Sequence, residues 1–278
     1  MAFLYETHLH TQESSLCGIA PAREYIRYYQ DRGYQGIFVT DHFFRGNSNI
    51  NRKLPWKEWV SQFCRGYENA LEEGEKRGLD VFFGWEEAFD GDEYLIYGLD
   101  KGWILDHPRA KSWSRKEQFD AVSDAGGCVV QAHPFRQRAY ISTIHLSTGC
   151  VHAVEAANAC NDAPDDALAM RYAKRLNLPV TAGSDIHSTT RPNFTTIGVS
   201  FETKLRSAAD FARRMRGGEQ PALILPPTRC DWIGDEAVTL PVDIRDADDR
   251  SAGRDIKRLL SGALSCGTVP HGTTGLMR

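Results

Sequence analysis

Several features that would assign a protein class directly are absent from this sequence. None of the seven cysteines belongs to a Cys-x-x-Cys pair, so neither a disulfide-dense secreted scaffold nor a zinc ribbon is indicated. No run approaches the roughly 20 apolar residues that a membrane-spanning helix needs. No Gly-x-Gly-x-x-Gly loop suggests a dinucleotide site. The net charge of -4 gives no electrostatic footprint for a nucleic-acid-binding protein.

The remaining composition is that of a globular chain from a reducing compartment. An odd number of dispersed thiols is typical of cytoplasmic proteins. Residues 1–6 contain neither the basic segment nor the long apolar segment of a signal peptide. We therefore expect a cytoplasmic protein without membrane contact, and the sequence leaves its oligomeric state open.

Strand-like apolar segments alternate with amphipathic helix patterns over residues 1–227. The predicted strands are residues 3–5, 34–40, 79–86, 94–99, 128–132, 152–156, 179–183, 194–201 and 222–225, and the predicted helices are residues 22–32, 55–77, 114–124, 163–176 and 207–216. Such alternation predicts a mostly parallel sheet. Polar residues follow at least five of these strands. A closed α/β barrel brings such strand ends to one face, so we predict a barrel rather than an open sheet.

The pattern changes near residue 228. Pro226-Pro227 interrupts the alternation, residues 245–254 are rich in charge, and residues 261–278 are rich in Gly, Ser and Thr. We predict a catalytic barrel over residues 1–227. Residues 228–278 are predicted to form a peripheral tail that is partly disordered.

Histidines and acidic residues cluster at the carboxyl ends of the predicted strands. They are His8, His10, Asp41, His42, Glu86, Glu87, His133, Glu155, Asp185 and His187. Residues two apart on a strand share a face, so His8 and His10 point in the same direction. A mixed set of imidazoles and carboxylates suits zinc, manganese or iron. Because the set is too large for one tetrahedral ion, we predict two or three divalent transition metals bridged by carboxylates.

Five motifs in this order resemble those of the PHP (polymerase and histidinol phosphatase) family of metal-dependent phosphoesterases. They are His8-Leu9-His10-Thr11, Thr40-Asp41-His42, Gly84-Trp85-Glu86, Ala132-His133-Pro134 and Gly183-Ser184-Asp185-Ile186-His187. The resemblance implies a distorted seven-stranded, TIM-like (β/α)7 barrel with a trinuclear metal centre at its C-terminal face. The family includes histidinol-phosphate phosphatases, nucleotide phosphatases, exonucleases and polymerase-associated domains.

The resemblance also implies which residues bind the ions. The matching positions are His8, His10, Glu86, His133 and Asp185, completed by His42 and His187. Glu86 is preferred over Glu87 because the family places its acid two residues after the glycine. Many members carry an Asp or His soon after the first motif, and here we predict Glu13 in that role, ahead of Cys17. Many also have a His on the fourth strand, where this chain has Tyr94, so a two-metal site is the alternative to three.

Four further residues are predicted to act around the ions. Glu155 ends a strand and is either a ligand or a hydrogen-bond partner of one. Asp41 is either a ligand or, as we prefer, an acceptor that orients an imidazole. Arg136 and Arg191 each follow a histidine motif and are predicted to clamp a phosphate with their forked donors.

Together these residues predict a metal-dependent phosphoesterase, most simply a phosphomonoesterase similar to histidinol-phosphate or nucleotide phosphatases. In this hypothesis a metal-activated water attacks a small phosphorylated substrate. His187 or His133 would protonate the leaving group. A histidine that binds a metal ion could not take this role. The alternatives are an amidohydrolase-like amide or lactone hydrolase, which usually needs a bridging lysine, and a nuclease, for which basic residues are few. A non-catalytic partner-binding barrel is the weakest alternative because the ligand set is nearly complete.

Overall fold

The structure is a computed structural model that describes residues 2–139, 141–190, 196–226 and 243–247. The strands are β1 Phe3–Glu6, β2 Gly36–Val39, β3 Asp80–Ala88, β4 Glu93–Tyr97, β5 Cys128–Ala132, β6 Thr143–Leu146, β7 Ala153–Asn158, β8 Val180–Gly183, β9 Gly198–Phe201, β10 Ala222–Ile224 and β11 Asp243–Asp246. The α-helices are α1 Ala22–Gln30, α2 Trp56–Phe63, α3 Arg65–Arg77, α4 Lys101–Asp106, α5 Arg115–Asp124, α6 Ala163–Leu176 and α7 Ala208–Arg216, and residues Pro108–Ser112 form a 3-10 helix.

One sheet curls into a nearly closed barrel. Its strand order is β10-β9-β1-β2-β3-β4-β5-β7-β8. Hydrogen bonds join the segments that follow β1 and β8. The His10 N–H donates to the Ile186 carbonyl at 3.0 Å. The Asp185 N–H likewise donates to the His8 carbonyl at 2.7 Å. The predicted α/β barrel is confirmed, although its sheet has nine strands among the described residues rather than the seven that the family resemblance implies.

The sheet is less parallel than the alternating pattern predicts. β9 pairs antiparallel with both β1 and β10. A tight turn at residues 90–92 joins β3 to β4, and Gly91 adopts a φ of 94° there. A connection this short permits only antiparallel pairing. β4 therefore runs against β3 and β5, and its first residue, Glu93, pairs with Ala88 and Ala132 at the carboxyl ends of those two strands.

Residues 55–77, predicted as one helix, form α2 and α3 with a break at Cys64. The Ser14 hydroxyl donates to the Phe63 carbonyl at 2.7 Å and ties the break to the loop that follows β1. A Cβ on Gly66 would lie 2.2 Å from Thr11 Oγ1 and 2.6 Å from Asp41 Oδ2. Only glycine therefore lets α3 approach this loop so closely.

The C-terminal part of the chain is described only in two pieces. Most of the predicted tail, residues 228–278, lies outside the described residues. Its segment β11 pairs in parallel with β6, and the Ala247 N–H donates to the Leu146 carbonyl at 2.9 Å. No helix in the described ranges combines the length and apolar character that crossing a bilayer requires.

Aromatic packing fills the barrel beneath its C-terminal face. Phe211 of α7 is fully buried, and its ring centroid lies 4.9 Å from those of both Phe38 and Tyr97. We expect Phe211→Ala to lower the free energy of unfolding by about 3–5 kcal/mol, because it removes this contact and leaves a cavity. Urea unfolding followed by circular dichroism measures the change.

Leu16→Ala is the control for that measurement, since the Leu16 side chain is 69% exposed. We expect its effect to stay within about 0.5 kcal/mol. A loss of less than about 1 kcal/mol in Phe211→Ala would contradict this description of the core.

Candidate metal centre

The barrel's C-terminal face gathers imidazoles and carboxylates from six strands. They are His8 and His10 after β1, His42 after β2, Glu86 in β3, Glu93 in β4, His133 after β5, and Asp185 and His187 after β8. Each strand fixes the backbone of its own residues, so the side chains are held before any ligand binds. All are buried except Glu93 and His187, which are partly exposed.

Glu86 lies at the centre of this group. Its Oε1 is 3.3 Å from His8 Nε2 and 3.1 Å from His133 Nε2. Its Oε2 is 2.9 Å from His42 Nδ1 and 3.4 Å from His10 Nε2. Each carboxylate oxygen thus faces a different pair of imidazoles, which is the geometry of a carboxylate that bridges two ions.

Asp185 occupies the other side of the histidine pair. Its Oδ1 lies 3.1 Å from His10 Nε2 and 3.6 Å from His8 Nε2, and its Oδ2 accepts from Arg136 Nη2 at 2.5 Å. Asp185 and His133 adopt positive φ values of 53° and 26°, although neither is glycine. Such conformations are uncommon and are found mainly where surrounding structure imposes them at functional sites.

Within the part of the chain that the structure describes, four overlapping groups of three residues place their ligand atoms within 4.8 Å of one another. They are His10–His42–His187, His8–Glu86–His133, His8–His10–Asp185 and His42–Glu86–Glu93. An imidazole nitrogen binds one ion, whereas a carboxylate can bind two. Any three of the four groups include two that have a histidine in common.

The site contains buried polar atoms that suit a cation. His42 Nδ1 and Glu86 Oε2 are both buried and have no hydrogen-bond partner among the described residues, although they lie only 2.9 Å apart. Leaving such groups unpaired costs free energy. A cation bound by both atoms would give each of them a partner, so these residues fit a metal site.

Electrostatics keep Glu86 and Asp185 ionised and one central imidazole neutral. Burial opposes ionisation of Glu86, but His8 and His42 hold its pKa well below the usual range. Burial likewise opposes ionisation of Asp185, and Arg136 and His8 hold its pKa low. Burial and the nearby charge of His42 lower the pKa of His10 to about 3, so its imidazole stays neutral. Ionised carboxylates and neutral imidazoles are the forms that bind metals.

Glu155 orients His8 rather than joining any of the four groups. Its Oε1 accepts from His8 Nδ1 at 2.9 Å, and its Oε2 accepts from the His133 N–H at 3.1 Å and from Asn158 Nδ2 at 2.9 Å. Because a carboxylate only accepts, His8 Nδ1 carries a proton, and Nε2 is the nitrogen that faces the cluster. Of the two predicted roles, the geometry favours that of hydrogen-bond partner.

Asp41 is connected to His10 through the hydroxyl of Ser15. Ser15 Oγ donates to Asp41 Oδ1 at 2.6 Å and lies 3.3 Å from His10 Nδ1. The Thr11 N–H donates to the same carboxylate at 2.6 Å. Asp41 therefore positions Ser15, which in turn can accept the Nδ1 proton of His10.

Glu13 and Arg191 stand apart from this geometry. Glu13 accepts from the Ala22 N–H and from Asn69 Nδ2, both at 3.0 Å, so it caps α1 and lies in none of the four groups. Cys17, the second choice after Glu13, lines the cavity over the site instead. Burial opposes ionisation of its thiol, but His187 and His42 lower its pKa to about 7. Arg191 falls outside the described residues.

Glu93 is the site residue that the sequence analysis missed. Its Oε2 lies 3.5 Å from His133 Nε2, and its Oε1 lies 3.8 Å from His42 Nδ1. Burial and the charge of Glu86 raise the pKa of Glu93. The neighbouring Tyr94 points away and donates to Asp92 at 2.6 Å. The turn at residues 90–92 could have indicated this position from the sequence, because it places the start of β4 at this face.

A cavity of about 570 Å³ opens above the cluster. The cluster residues and Arg136 form its floor, and its other wall includes Arg138, Ile141, Ile144 and His145. This volume falls within the range of small-molecule sites. The cavity therefore has room for a substrate next to the imidazoles and carboxylates.

Comparison with known proteins finds the fold but not a close relative. No family model and no curated protein matches the chain. A two-domain protein from Bacteroides vulgatus containing a predicted PHP-like metal-dependent phosphoesterase is similar in structure, with a TM-score of 0.59 and 19% identity over 81% of this chain and 65% of that one. PsfC from Pseudomonas syringae has a TM-score of 0.55 and 17% identity over 82% of this chain and 93% of that one.

The lesion-specific endonuclease EndoQ from Pyrococcus furiosus is also similar, with a TM-score of 0.52 and 11% identity over 80% of this chain and 58% of that one. The chain therefore spans less than two thirds of the Bacteroides and Pyrococcus proteins. At these identities the comparisons establish that the chain has the barrel fold of PHP-like proteins.

Proposed function

We propose that this protein is a PHP-family metal-dependent phosphoesterase that binds two divalent transition metals and hydrolyses small phosphomonoesters. The observation that carries the proposal is the position of Glu86, whose oxygens face His8 and His133 on one side and His10 and His42 on the other. The similarity of the fold to that of PHP-like proteins supports it.

Two pairs of these groups share no residue, and only one of those pairs uses all five imidazoles of the cluster, so we assign the ions' ligands to that pair. One ion would be held by His8, His133 and Glu86, and the other by His10, His42 and His187. Glu86 Oε2 and Asp185 Oδ1 also lie close to His10 and complete the second site. Imidazole and carboxylate ligands favour zinc, manganese or iron over calcium.

Bound divalent ions supply a nucleophile at neutral pH and neutralise charge on a phosphate. The protein's own contribution is positioning. Arg136 is bound to Asp185, Asn158 and Asn161 through Nε and Nη2, which fixes the plane of its guanidinium at the cavity floor. Its Nη1 is then the donor that a phosphate oxygen can use.

A nucleic-acid substrate is the second candidate function. The observation that favours it is the similarity of the fold to EndoQ, a lesion-specific endonuclease. Against it stand the formal charge of -4 and a cavity sized for a small molecule. An amide or lactone substrate has no comparable support.

The cysteines support a reducing compartment. Cys17, Cys64, Cys128 and Cys160 are free thiols, and Cys64 and Cys128 are buried. Unpaired thiols persist in cytoplasm and are less common in secreted proteins. We therefore retain the cytoplasm as the proposed location.

Metal removal and a substrate panel test the proposal together. We expect the metal-loaded protein to release inorganic phosphate from phosphomonoesters such as histidinol phosphate, nucleoside monophosphates or p-nitrophenyl phosphate. Chelation should abolish the release, and added manganese or zinc should restore it. The same assays on bis(p-nitrophenyl) phosphate and on single- and double-stranded DNA are the comparison. Cleavage of diesters or DNA without monoesterase activity would contradict the proposal and favour the nuclease.

A further inference from the structure

A second pair of titratable side chains lies in the cavity, outside the metal cluster. His145 of β6 and Asp92 of the turn before β4 both line the cavity wall that faces the floor. Neither belongs to any of the four ligand groups found among the described residues. The function proposed above gives this pair no role.

The Asp92 carboxylate is held rigidly. Its Oδ2 accepts from Arg115 Nε and from the Tyr94 hydroxyl, both at 2.6 Å, and its Oδ1 accepts from Arg115 Nη2 at 2.5 Å. The side chain is only 3% exposed. Three charged or polar donors thus fix the direction in which its oxygens point.

The His145 ring has one buried and one reachable edge. Its Nδ1 is buried, has no hydrogen-bond partner among the described residues, and lies 3.9 Å from Asp92 Oδ1. The side chain as a whole is 17% exposed and lines the cavity. Since Nδ1 faces Asp92, Nε2 is the nitrogen that a substrate can reach.

The backbone of His145 is also fixed. Gln131 Nε2 donates to the His145 carbonyl at 2.7 Å, and β6 pairs with β11, which places Arg245 opposite His145. The charged residues of this region are Asp92, Arg115 bound to it, Arg138 in the cavity lining and Arg245 at the paired position of β11. A carboxylate behind one nitrogen and a cavity before the other is the arrangement of an oriented acid–base histidine.

We propose that His145 is the general acid that protonates the leaving group, with Asp92 as the residue that positions it. This inference rests on the phosphoesterase function proposed above. As the water oxygen forms its bond to phosphorus and releases a proton to solvent, the bond from phosphorus to the ester oxygen breaks. That oxygen takes both bonding electrons and receives the proton of His145 Nε2, and solvent then reprotonates the ring. The 3.9 Å separation is longer than a hydrogen bond, so Asp92 acts on the ring by electrostatic attraction.

The dependence on leaving group tests this role. p-Nitrophenolate leaves without a proton, whereas the alkoxide of glycerol phosphate needs one. We expect His145→Gln to lower kcat/KM for glycerol phosphate by about 10²-fold or more, and for p-nitrophenyl phosphate by less than about tenfold. Asp92→Asn should show the same pattern with a smaller loss. His152→Gln is the matched control, because His152 bonds Ser123 and the Val129 N–H away from the cavity.

The wild-type protein provides a measurement that does not depend on a variant folding. Its rates across aryl and alkyl phosphates should depend only weakly on leaving-group pKa. A steep dependence in the wild type, or an equal loss on both substrates in His145→Gln, would overturn the role of His145 and leave the phosphoesterase proposal intact. A metal-loaded wild type that hydrolyses neither substrate would overturn the phosphoesterase proposal and this inference with it.

Discussion

Glu86→Gln is expected to reduce phosphoesterase kcat/KM by at least about 10³-fold, the largest effect among the predicted variants. The substitution keeps the shape of the side chain but removes the charge shared by four imidazoles. A neutral amide cannot bridge two cations as a carboxylate does. Activity assays and elemental analysis of the same preparation measure both consequences, and we expect the ion content to fall with the activity.

Glu87→Gln is the matched control for that variant. Glu87 follows Glu86 on β3, but its carboxylate accepts from the Arg45 and Ala88 N–H groups, away from the cluster. Burial raises the pKa of Glu87 to about 7, so the uncharged form is already accessible to this side chain. Its variant should keep both ions and most of the activity. Equal losses in the two variants would show that the Glu86 effect is structural.

Glu93→Gln is expected to weaken metal binding by about 10–100-fold, with a parallel loss of activity at limiting metal. The carboxylate lies between His133 and His42, one histidine from each proposed ion site. Removing its charge therefore lowers the attraction for both cations. Competition with a metal-sensitive chelator dye measures the dissociation constants.

Glu13→Gln separates the sequence-based prediction from the structure. The sequence analysis predicts Glu13 as a ligand, whereas in the structure it caps α1 and contacts Asn69. We expect this variant to bind metal as tightly as the wild type. If Glu13→Gln weakens metal binding and Glu93→Gln does not, the arrangement described for these two residues is wrong.

The sequence alone predicts the parts of the site that depend on parallel strands. The alternation of side chains continues past the end of β1 and places His8 and His10 on one side. In the structure their Nε2 atoms lie 3.1 Å apart. The expectation that the carboxyl ends of the strands meet at one face of the barrel also places Glu86 in the same cluster. These side chains lie together because a barrel of parallel strands fixes where the carboxyl strand ends lie, whatever the loops do.

The rest depends on geometry that local patterns do not contain. Glu93 begins a strand, and it reaches the site only because the hairpin reverses β4. Glu13 and Cys17 lie four residues apart in one irregular loop, where nothing in the sequence indicates which one faces the cavity. His145 lies on β6, which the apolar pattern does not predict and which pairs with β11 far along the chain. Long-range pairing of short strands leaves little local signal.

Anomalous X-ray diffraction at the absorption edge of the bound metal tests the central claim most directly. Crystals of the metal-loaded protein should show two anomalous peaks in the cavity floor, one on each side of the Glu86 carboxylate. One peak should lie near His8 and His133, and the other near His10, His42 and His187. No peak in fully loaded crystals, or peaks that Glu86 does not contact, would contradict the account.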